Sequence, residues 1–319
     1  MSDLQDISII VPAKNNRDTI GATINSVFDQ DGIGEVIVCL APSDDGTDDI
    51  LRGIKDPRLR LLDDPGQGIS LAMNIGIAAA TGTYFSKIDA DDLVPSGRFG
   101  WQRDALLRSP DLVAISGSYQ AIDEKGSIIA NFAEDRDAGL ITPDLLQGKT
   151  PTHFGTYLTR LDAIRGIGGF REWFVTAEDI DMPLRLANIG EVGFEPITSY
   201  QYRIRGSSIT HNQPNVLRVF YEKNAREFAL QRVRCGVDDL MQGQPPDLPT
   251  LNKVNGSDAK CPHDQIAGFL EAQSWRSFNK GQRMQGIALM SKSIKTQPKM
   301  SNGRGLMVML LKCLRRNNE

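Results

Sequence analysis

Residues 83–92, TYFSKIDADD, join an apolar strand pattern directly to three carboxylates, Asp89, Asp91 and Asp92. Like charges repel, so three acids within four residues need a compensating partner. Two interpretations are open at this point. Either the acids form a solvated turn that caps a helix starting near residue 96, or they hold a hard cation, because Mg²⁺ and Mn²⁺ favour carboxylate oxygens.

The sequence around this stretch alternates between strand and helix patterns. Short apolar runs predict four buried strands, at residues 7–11, 35–39, 58–62 and 83–88. Apolar residues at helical spacing predict three helices between them, at 18–28, 47–55 and 69–80. Such alternation predicts a mostly parallel α/β sheet. Ligands of these sheets bind beyond the carboxyl ends of the strands, which favours a cation site at residues 89–92.

After about residue 111 the pattern becomes mixed. Runs at 112–116 and 128–132 flank a turn at 124–126 and predict an antiparallel pair. Four further elements are predicted: a strand at 154–158, a short helix that ends at Gly168-Gly169, an amphipathic helix at 178–189 and a strand at 191–204.

The C-terminal third differs in kind. The predicted organisation is an α/β domain at 1–215, a connecting helix at 216–241, a linker at 242–263 and a helical region at 264–319. The last helix, LMVMLLKCLRR at 306–316, is apolar and basic. We expect it either to dock on the preceding helical pair or to lie on an anionic membrane surface. The helical region is also a candidate for homo-oligomer formation.

Composition excludes several classes of protein. The 36 Lys and Arg residues nearly balance 40 Asp and Glu residues, which argues against a general nucleic-acid binder. No run approaches the roughly 20 apolar residues of a membrane-spanning helix, and the acidic start MSDLQD lacks the basic flank of a secretory signal. The four scattered cysteines form no CxxC pair, so we expect neither a zinc site nor a disulfide framework. A cytoplasmic protein is predicted.

Four segments together resemble family 2 of the glycosyltransferases, the inverting GT-A type. They are ISIIVPAKNN at 7–16, the stretch from Gly66 to KIDADD at 87–92, Gly168-Gly169-Phe170, and AEDIDMPLRL at 177–186. The similarity covers roughly residues 7–210. It implies a GT-A (Rossmann-like) α/β fold, with a mostly parallel sheet and a mixed C-terminal half, to which this chain adds a helical appendage.

The resemblance also implies an activity. A hexose would pass from a nucleotide-sugar, with UDP favoured, to a sugar or lipid-linked acceptor in cell-surface polysaccharide or glycan synthesis, at the cytoplasmic side of a membrane. Asp91 would ligate Mn²⁺ or Mg²⁺, and Asp89 would contact the donor ribose or the metal. Asp179 would take the proton of the acceptor hydroxyl. His211 is a further candidate for the metal or the diphosphate.

The remaining site residues follow from the matched positions. The donor-binding side would include Pro12, Lys14, Ala41 and Gly68. Glu178 and Trp173 would lie on the acceptor side, with Trp173 and Phe174 either an acceptor platform or part of the core. His153 is placed where it can border the acceptor cleft.

The stretch after the second strand departs from the family pattern. Most members carry two acids there, one of which receives the nucleotide base, whereas this chain has Leu40-Ala41-Pro42-Ser43. A backbone carbonyl near Ala41 would have to replace the missing carboxylate. Asp44 and Asp45 are expected to cap the helix at 47–55.

Several alternatives stay open at the level of sequence. Asp92 either supports the metal site or caps the next helix, and Asp181 is expected to face solvent. A nucleotidyltransferase is a second enzymatic interpretation, which the absence of glycines from PAKNNRD at 12–18 disfavours. A degenerate scaffold protein is a third, and the presence of Asp89, Asp91 and Asp179 together disfavours it.

Overall fold

The computed structural model of the chain describes residues 5–133, 135–204, 215–249 and 262–316. The strands are β1 (Ile7–Ala13), β2 (Ile33–Leu40), β3 (Leu59–Asp63), β4 (Tyr84–Lys87), β5 (Leu112–Ile122), β6 (Ile128–Phe132), β7 (Gly139–Leu140), β8 (Leu158–Arg160) and β9 (Glu191–Arg203).

The helices of the N-terminal two-thirds are α1 (Arg17–Phe28), α2 (Thr47–Gly53), α3 (Ile69–Ala79), α4 (Arg98–Arg108), α5 (Thr142–Leu146), α6 (Leu161–Gly166) and α7 (Glu178–Leu186). Those that follow are α8 (Asn215–Cys235), α9 (Pro262–Asn279), α10 (Arg283–Thr296) and α11 (Met300–Arg316).

The sheet has a parallel half and an antiparallel half. Its strand order is β3-β2-β1-β4-β8-β5-β9-β7, and β6 pairs with β5. The pairs β1–β2, β1–β4 and β2–β3 are parallel, whereas β4–β8, β5–β8 and β7–β9 are antiparallel. The carboxyl ends of the four parallel strands therefore meet at one edge, which confirms the predicted sheet.

Buried side chains on both faces explain the uninterrupted apolar runs. In β1, Ile9 and Ile10 point to opposite faces because successive side chains of a strand alternate. Ile10 packs with Met73 and Phe85 in one apolar cluster. Ile9 belongs to a second cluster, which contains residues of α1 and α4.

The predicted strand at 154–158 is wrong except at its last residue. Residues Phe154–Thr156 form a 3₁₀ turn, and β8 starts only at Leu158. The turn forms because the Thr156 amide donates to the His153 carbonyl, while His153 Nδ1 accepts the Gly155 amide. These local bonds outcompete strand pairing.

The chain divides into two compact units. The first holds Met1–Tyr119, Phe132–Tyr202 and Val216–Asn252, and the second holds Gln120–Asn131, Arg203–Asn215 and Lys253–Glu319, each where it is described. In the first unit, Tyr221, Ala225 and Phe228 of α8 pack with Phe174. The predicted domain boundaries stay predictions.

The C-terminal helices of the second unit pack on one another. Met309 of α11 is buried against Phe278 of α9 and Met290 of α10. This contact confirms that the last helix docks on the helical pair. Among the described residues, none of the helices combines the length and apolar character needed to cross a bilayer.

Gly76 and Gly100 offer a matched test of helix packing. A Cβ on Gly76 of α3 would lie 2.5 Å from Ile10 Cγ2, whereas one on Gly100 of α4 would have no atom within 4 Å. Gly76→Ala should therefore destabilise the protein by about 1–3 kcal/mol through overpacking. Gly100→Ala should stabilise it by about 0.5–1 kcal/mol through helix propensity. Urea denaturation measures both, and a stabilised Gly76→Ala variant would contradict the packing of α3 on β1.

Candidate active site

Lys87, the last residue of β4, is the buried cation of the site. Its side chain is 4% exposed, and its Nζ lies 2.6 Å from Asp89 Oδ1. Burial alone would lower the pKa of this amine, but the carboxylates of Asp89, Glu178 and Asp179 raise it well above its ordinary value. Lys87 is therefore charged and close to both acidic motifs.

Tyr200 of β9 holds Asp89 from the other side. The Tyr200 hydroxyl accepts the Asp89 amide at 3.1 Å and donates to Asp89 Oδ2 at 3.3 Å. Burial acts to raise the pKa of Asp89, yet Lys87 and these bonds hold it below its ordinary value. Both carboxylate oxygens of Asp89 thus have protein donors, which weakens the prediction that Asp89 ligates a metal.

Glu178 and Asp179 open α7 directly after a strained residue. Ala177 has φ +64°, a conformation that costs a non-glycine residue energy and turns the chain into the helix. Glu178 is buried, and burial together with the Asp179 charge raises its pKa to about 7, against the opposing effect of Lys87. The two acidic motifs therefore belong to one electrostatic cluster.

His153 lies beside Asp179, a contact that was not predicted from the sequence. Its Nε2 lies 3.7 Å from Asp179 Oδ2. Burial lowers the pKa of His153 despite the charges of Asp179 and Asp89, so the ring is neutral. Because Nδ1 accepts the Gly155 amide at 3.1 Å, the proton sits on Nε2 and faces Asp179. Gly155 is required here, since a Cβ would lie 2.6 Å from Tyr200 Cζ.

Asp91 and Asp92 have different environments. Asp92 is fully buried, hydrogen-bonds Tyr200, and lies too early to cap α4, whose N-cap is Gly97. Asp91 is half-buried at the turn.

Among the described residues no three His, Cys, Asp or Glu side chains form a ready metal cluster. One carboxylate still fits a cation that is shared with a diphosphate, because Mg²⁺ takes one or two carboxylates plus phosphate oxygens. His211 lies outside the described residues.

Of the predicted donor-side residues, Pro12 and Ala41 lie at the carboxyl ends of β1 and β2. The Ala41 amide donates to the Ala13 carbonyl at 2.9 Å, next to Pro12. The Ala41 carbonyl accepts the Ser43 hydroxyl at 3.0 Å. Lys14 is exposed. Gly68 has φ +119° and open space where a side chain would be.

Asp64 lies beside the predicted donor-side stretch and was not predicted from the sequence. Its amide donates to the Leu40 carbonyl at 3.0 Å, and its Oδ1 accepts the Gly66 amide at 3.1 Å. A Cβ on Gly66 would lie 3.5 Å from Pro42. The buried Asp64 carboxylate thus borders the stretch that lacks the family's acids. The signal was an acid pair, Asp63-Asp64, directly after the third strand.

The Asp45 prediction holds in part. Its Oδ1 accepts the Thr47 amide at 2.9 Å at the start of α2, although the N-cap itself is Gly46. Its Oδ2 accepts the Arg17 amide of α1 at 2.9 Å. Asp45 therefore joins the starts of two helices.

Trp173 packs against other aromatic side chains. Its ring lies edge-on to Phe174 at 5.0 Å and to Tyr221 of α8 at 4.9 Å. Of the two alternatives for Trp173 and Phe174, the core is favoured, and the acceptor-side prediction for Trp173 loses its support.

The prediction that Asp181 faces solvent is wrong. Its side chain is 2% exposed and pairs with Arg171. Arg171 Nη1 also lies 2.9 Å from Asp238 Oδ2, and Asp238 pairs in turn with Arg232 of α8. Helical periodicity did not reveal this role, because Arg171 lies outside α7 and the further members of the network, Asp238 and Arg232, come much later in the chain. The network ties α7 to α8 and so fixes the helix that presents Glu178.

Residues 8–164 match the model of "Glycosyl transferase family 2". The chain belongs to this family. The structure, with its large mixed sheet and its C-terminal helices, has the GT-A fold. The match favours sugar transfer over nucleotidyl transfer.

Individual relatives cover different parts of the chain. The chondroitin synthase of Pasteurella multocida (strain Pm70) is 27% identical over 191 residues, 58% of this chain, and the aligned region is only 19% of that synthase. The succinoglycan biosynthesis protein ExoO of Rhizobium meliloti (strain 1021) is 29% identical over 85% of this chain and 75% of its own length. The structure of S. aureus TarS 1-349 with UDP-GlcNAc superposes with TM-score 0.59 at 15% identity, covering 92% of this chain and 82% of that one.

Glu178 makes the stability of the protein depend on pH. An acid whose folded pKa is about 7 and whose ordinary pKa is 4.5 stays protonated in the fold while the unfolded chain ionises. Its contribution to stability is therefore lost as the pH rises from 4.5 to 7. Glu178→Gln should be more stable than the parent by roughly 1–3 kcal/mol at pH 8, and by much less at pH 5.

Urea denaturation at the two pH values measures this difference. Glu172→Gln, which changes an exposed acid shortly before α7, should leave the pH dependence unaltered. An equal effect of Glu178→Gln at both pH values would contradict the buried, charge-coupled environment.

Proposed function

We propose that this chain is an inverting glycosyltransferase, which moves a hexose from a nucleotide-sugar to a sugar or lipid-linked acceptor in polysaccharide or glycan synthesis. One observation carries the proposal: the Lys87 amine pairs with the donor-side carboxylate Asp89 and also interacts electrostatically with the acceptor-side pair Glu178-Asp179. One place thus offers both groups that the reaction needs. It offers charge compensation for a leaving group and a proton acceptor for an incoming hydroxyl.

The residues take separate parts in the reaction. Asp179, 31% exposed, is accessible to an acceptor hydroxyl and takes its proton as the oxygen attacks the anomeric carbon. Asp91 would hold Mn²⁺ or Mg²⁺, and the bound cation would compensate the negative charge of the departing diphosphate. Asp89, fixed by Lys87 and Tyr200, faces the donor ribose. Lys14, exposed beyond β1, reaches the diphosphate.

Asp179→Asn should lower nucleotide release from UDP-glucose or UDP-N-acetylglucosamine by about 10²–10⁴-fold, because a general base is lost. Calorimetric binding of UDP with Mn²⁺ should be unchanged in this variant and weakened in Asp91→Ala. Asp104→Asn, an exposed acid on α4, serves as the control for both measurements. Full activity of Asp179→Asn, or metal-dependent binding by Asp91→Ala, would remove that residue from its proposed part. Absence of turnover in the parent would support the scaffold interpretation.

The donor base is proposed to be uracil, read by Asp64 in place of the acids missing at Leu40 and Ala41. A buried carboxylate that already accepts one amide retains lone pairs for the N–H of a uracil ring. UDP should raise the thermal midpoint of unfolding more than GDP or CDP, since a ligand stabilises the state that binds it. Asp64→Ala should remove the difference between bases. Equal shifts for all three nucleotides with the parent would contradict this assignment.

The outer face of α11 is proposed to contact an anionic lipid bilayer, the cytoplasmic leaflet being the natural source of such lipids. Opposite the buried Met309, Met307 is 63% exposed, and Leu310 and Leu311 are 45% and 46% exposed. The helix contains Arg304 and Lys312 and, in its whole sequence, no acidic residue. An apolar face with basic flanks complements an anionic membrane surface.

Cosedimentation of the full chain with vesicles tests this contact. Binding should be clear with phosphatidylcholine–phosphatidylglycerol vesicles, weak with phosphatidylcholine alone, and reduced about tenfold by Leu310→Gln/Leu311→Gln. Met284→Gln, which alters a side chain 78% exposed on α10, is the matched control. If light scattering instead shows a dimer that the double variant dissociates, the face belongs to a second copy of the chain.

A further inference from the structure

Three half-buried aromatic rings line the sheet beside the candidate base. Tyr119 of β5, Phe132 of β6 and Tyr202 of β9 come from strands that are neighbours in the sheet, and we refer to them together as the aromatic wall. The rings of Tyr119 and Phe132 stack with centroids 4.7 Å apart and planes at 11°. None of the three residues was singled out by the sequence.

The aromatic wall adjoins His153. The ring centroids of Tyr119 and Tyr202 each lie 6.0 Å from that of His153. The Nε2 of His153 in turn lies 3.7 Å from Asp179 Oδ2. A ligand that covers the wall therefore ends next to the carboxylate that accepts a proton.

The chemistry of these groups selects a sugar ring. A pyranose has an apolar face of C–H groups that packs on the electron-rich face of an aromatic ring, and hydroxyls around its rim that need polar partners. Tyrosine supplies both a ring and a hydroxyl. The other candidate for this part, Trp173, is half-buried and packs on the rings of Phe174, Tyr221 and Phe228.

We infer that the aromatic wall binds a sugar ring of the acceptor, and that His153 at its base is a positioning residue that orients Asp179 toward the acceptor hydroxyl. The inference rests on the proposed glycosyltransferase function and adds to it the acceptor subsite. His153 acts through its Nε2–H, which the Gly155 amide fixes by occupying Nδ1. As the hydroxyl proton moves to Asp179, this N–H remains in place to stabilise and aim the carboxylate.

Sugar binding to the aromatic wall can be measured without turnover. Saturation-transfer NMR follows the binding of methyl β-glycosides of glucose, galactose and N-acetylglucosamine, with UDP and Mn²⁺ present. Tyr119→Leu and Tyr202→Leu should weaken binding by about 5–10-fold, because one ring contact is worth about 1 kcal/mol. Tyr119→Phe should retain most of it. Phe28→Leu, which removes a half-buried ring at the end of α1, should have no effect. Thermal unfolding verifies that each variant folds.

Two results would contradict the assignment of the aromatic wall as the acceptor subsite. One is unchanged glycoside binding in both leucine variants, and the other is a loss of glycoside binding that occurs only in a further variant, Trp173→Phe. Release of nucleotide from UDP-sugars is measured separately, on the parent protein. No release by the parent would refute the proposed function, whereas the glycoside measurement judges the wall alone.

His153→Phe tests the positioning part. It keeps an aromatic ring but removes the N–H, so donor hydrolysis should fall about tenfold while glycoside binding stays the same, and His153→Gln should recover part of the rate. Equal rates for His153→Phe and the parent would overturn this part. Lower glycoside binding by His153→Phe would do so too, since it would show a packing role.

Discussion

The ion pair between Lys87 and Asp89 is the interaction on which the site depends. Four carboxylates, Asp89, Asp92, Glu178 and Asp179, cannot be gathered in a partly dry site without a cation, because repulsion and desolvation would both oppose folding. Lys87 supplies that charge from the end of β4, where burial leaves it no solvent partner. Lys87 therefore offsets part of the negative charge of the site before any metal or donor arrives.

A second layer of contacts holds this arrangement rigid. Tyr200 bonds Asp89 by two hydrogen bonds, and its ring lies 5.9 Å from the guanidinium of the fully buried Arg98. Burial lowers the pKa of Arg98 to about 9, and its Nη2 donates to Ser86 and to the Tyr157 carbonyl. On the other side, the pairs Arg171–Asp181 and Arg171–Asp238 lock α7 in place. Such support keeps reacting groups within the narrow geometry that catalysis needs.

The parallel half of the fold and the acidic motifs were readable in the sequence because their signals are local. An apolar run predicts a buried strand such as β1, and the acids after β4 indicate a site at the edge of the sheet. The bonds of Tyr200 to Asp89 and the aromatic wall were not predicted from the sequence, because the strands β5, β6 and β9 bring these residues together from distant positions. His153 was predicted to border the acceptor cleft, but its approach to Asp179 was not predicted. The environments of Asp181 and Trp173 were predicted wrongly or left open, because each depends on a residue far along the chain. Asp238, after α8, shares Arg171 with Asp181, and Tyr221 of α8 packs on Trp173.

The coupling between Lys87 and Glu178 tests the shared site most directly. Urea denaturation of Lys87→Met, Glu178→Gln and the double variant at pH 8 completes a thermodynamic cycle. Because the amine lies among the acids, removing Lys87 should cost less stability once Glu178 is neutral, with a coupling free energy of about 1–3 kcal/mol. Effects that add within about 0.5 kcal/mol would show that the two acidic motifs are electrostatically separate, and would contradict the account.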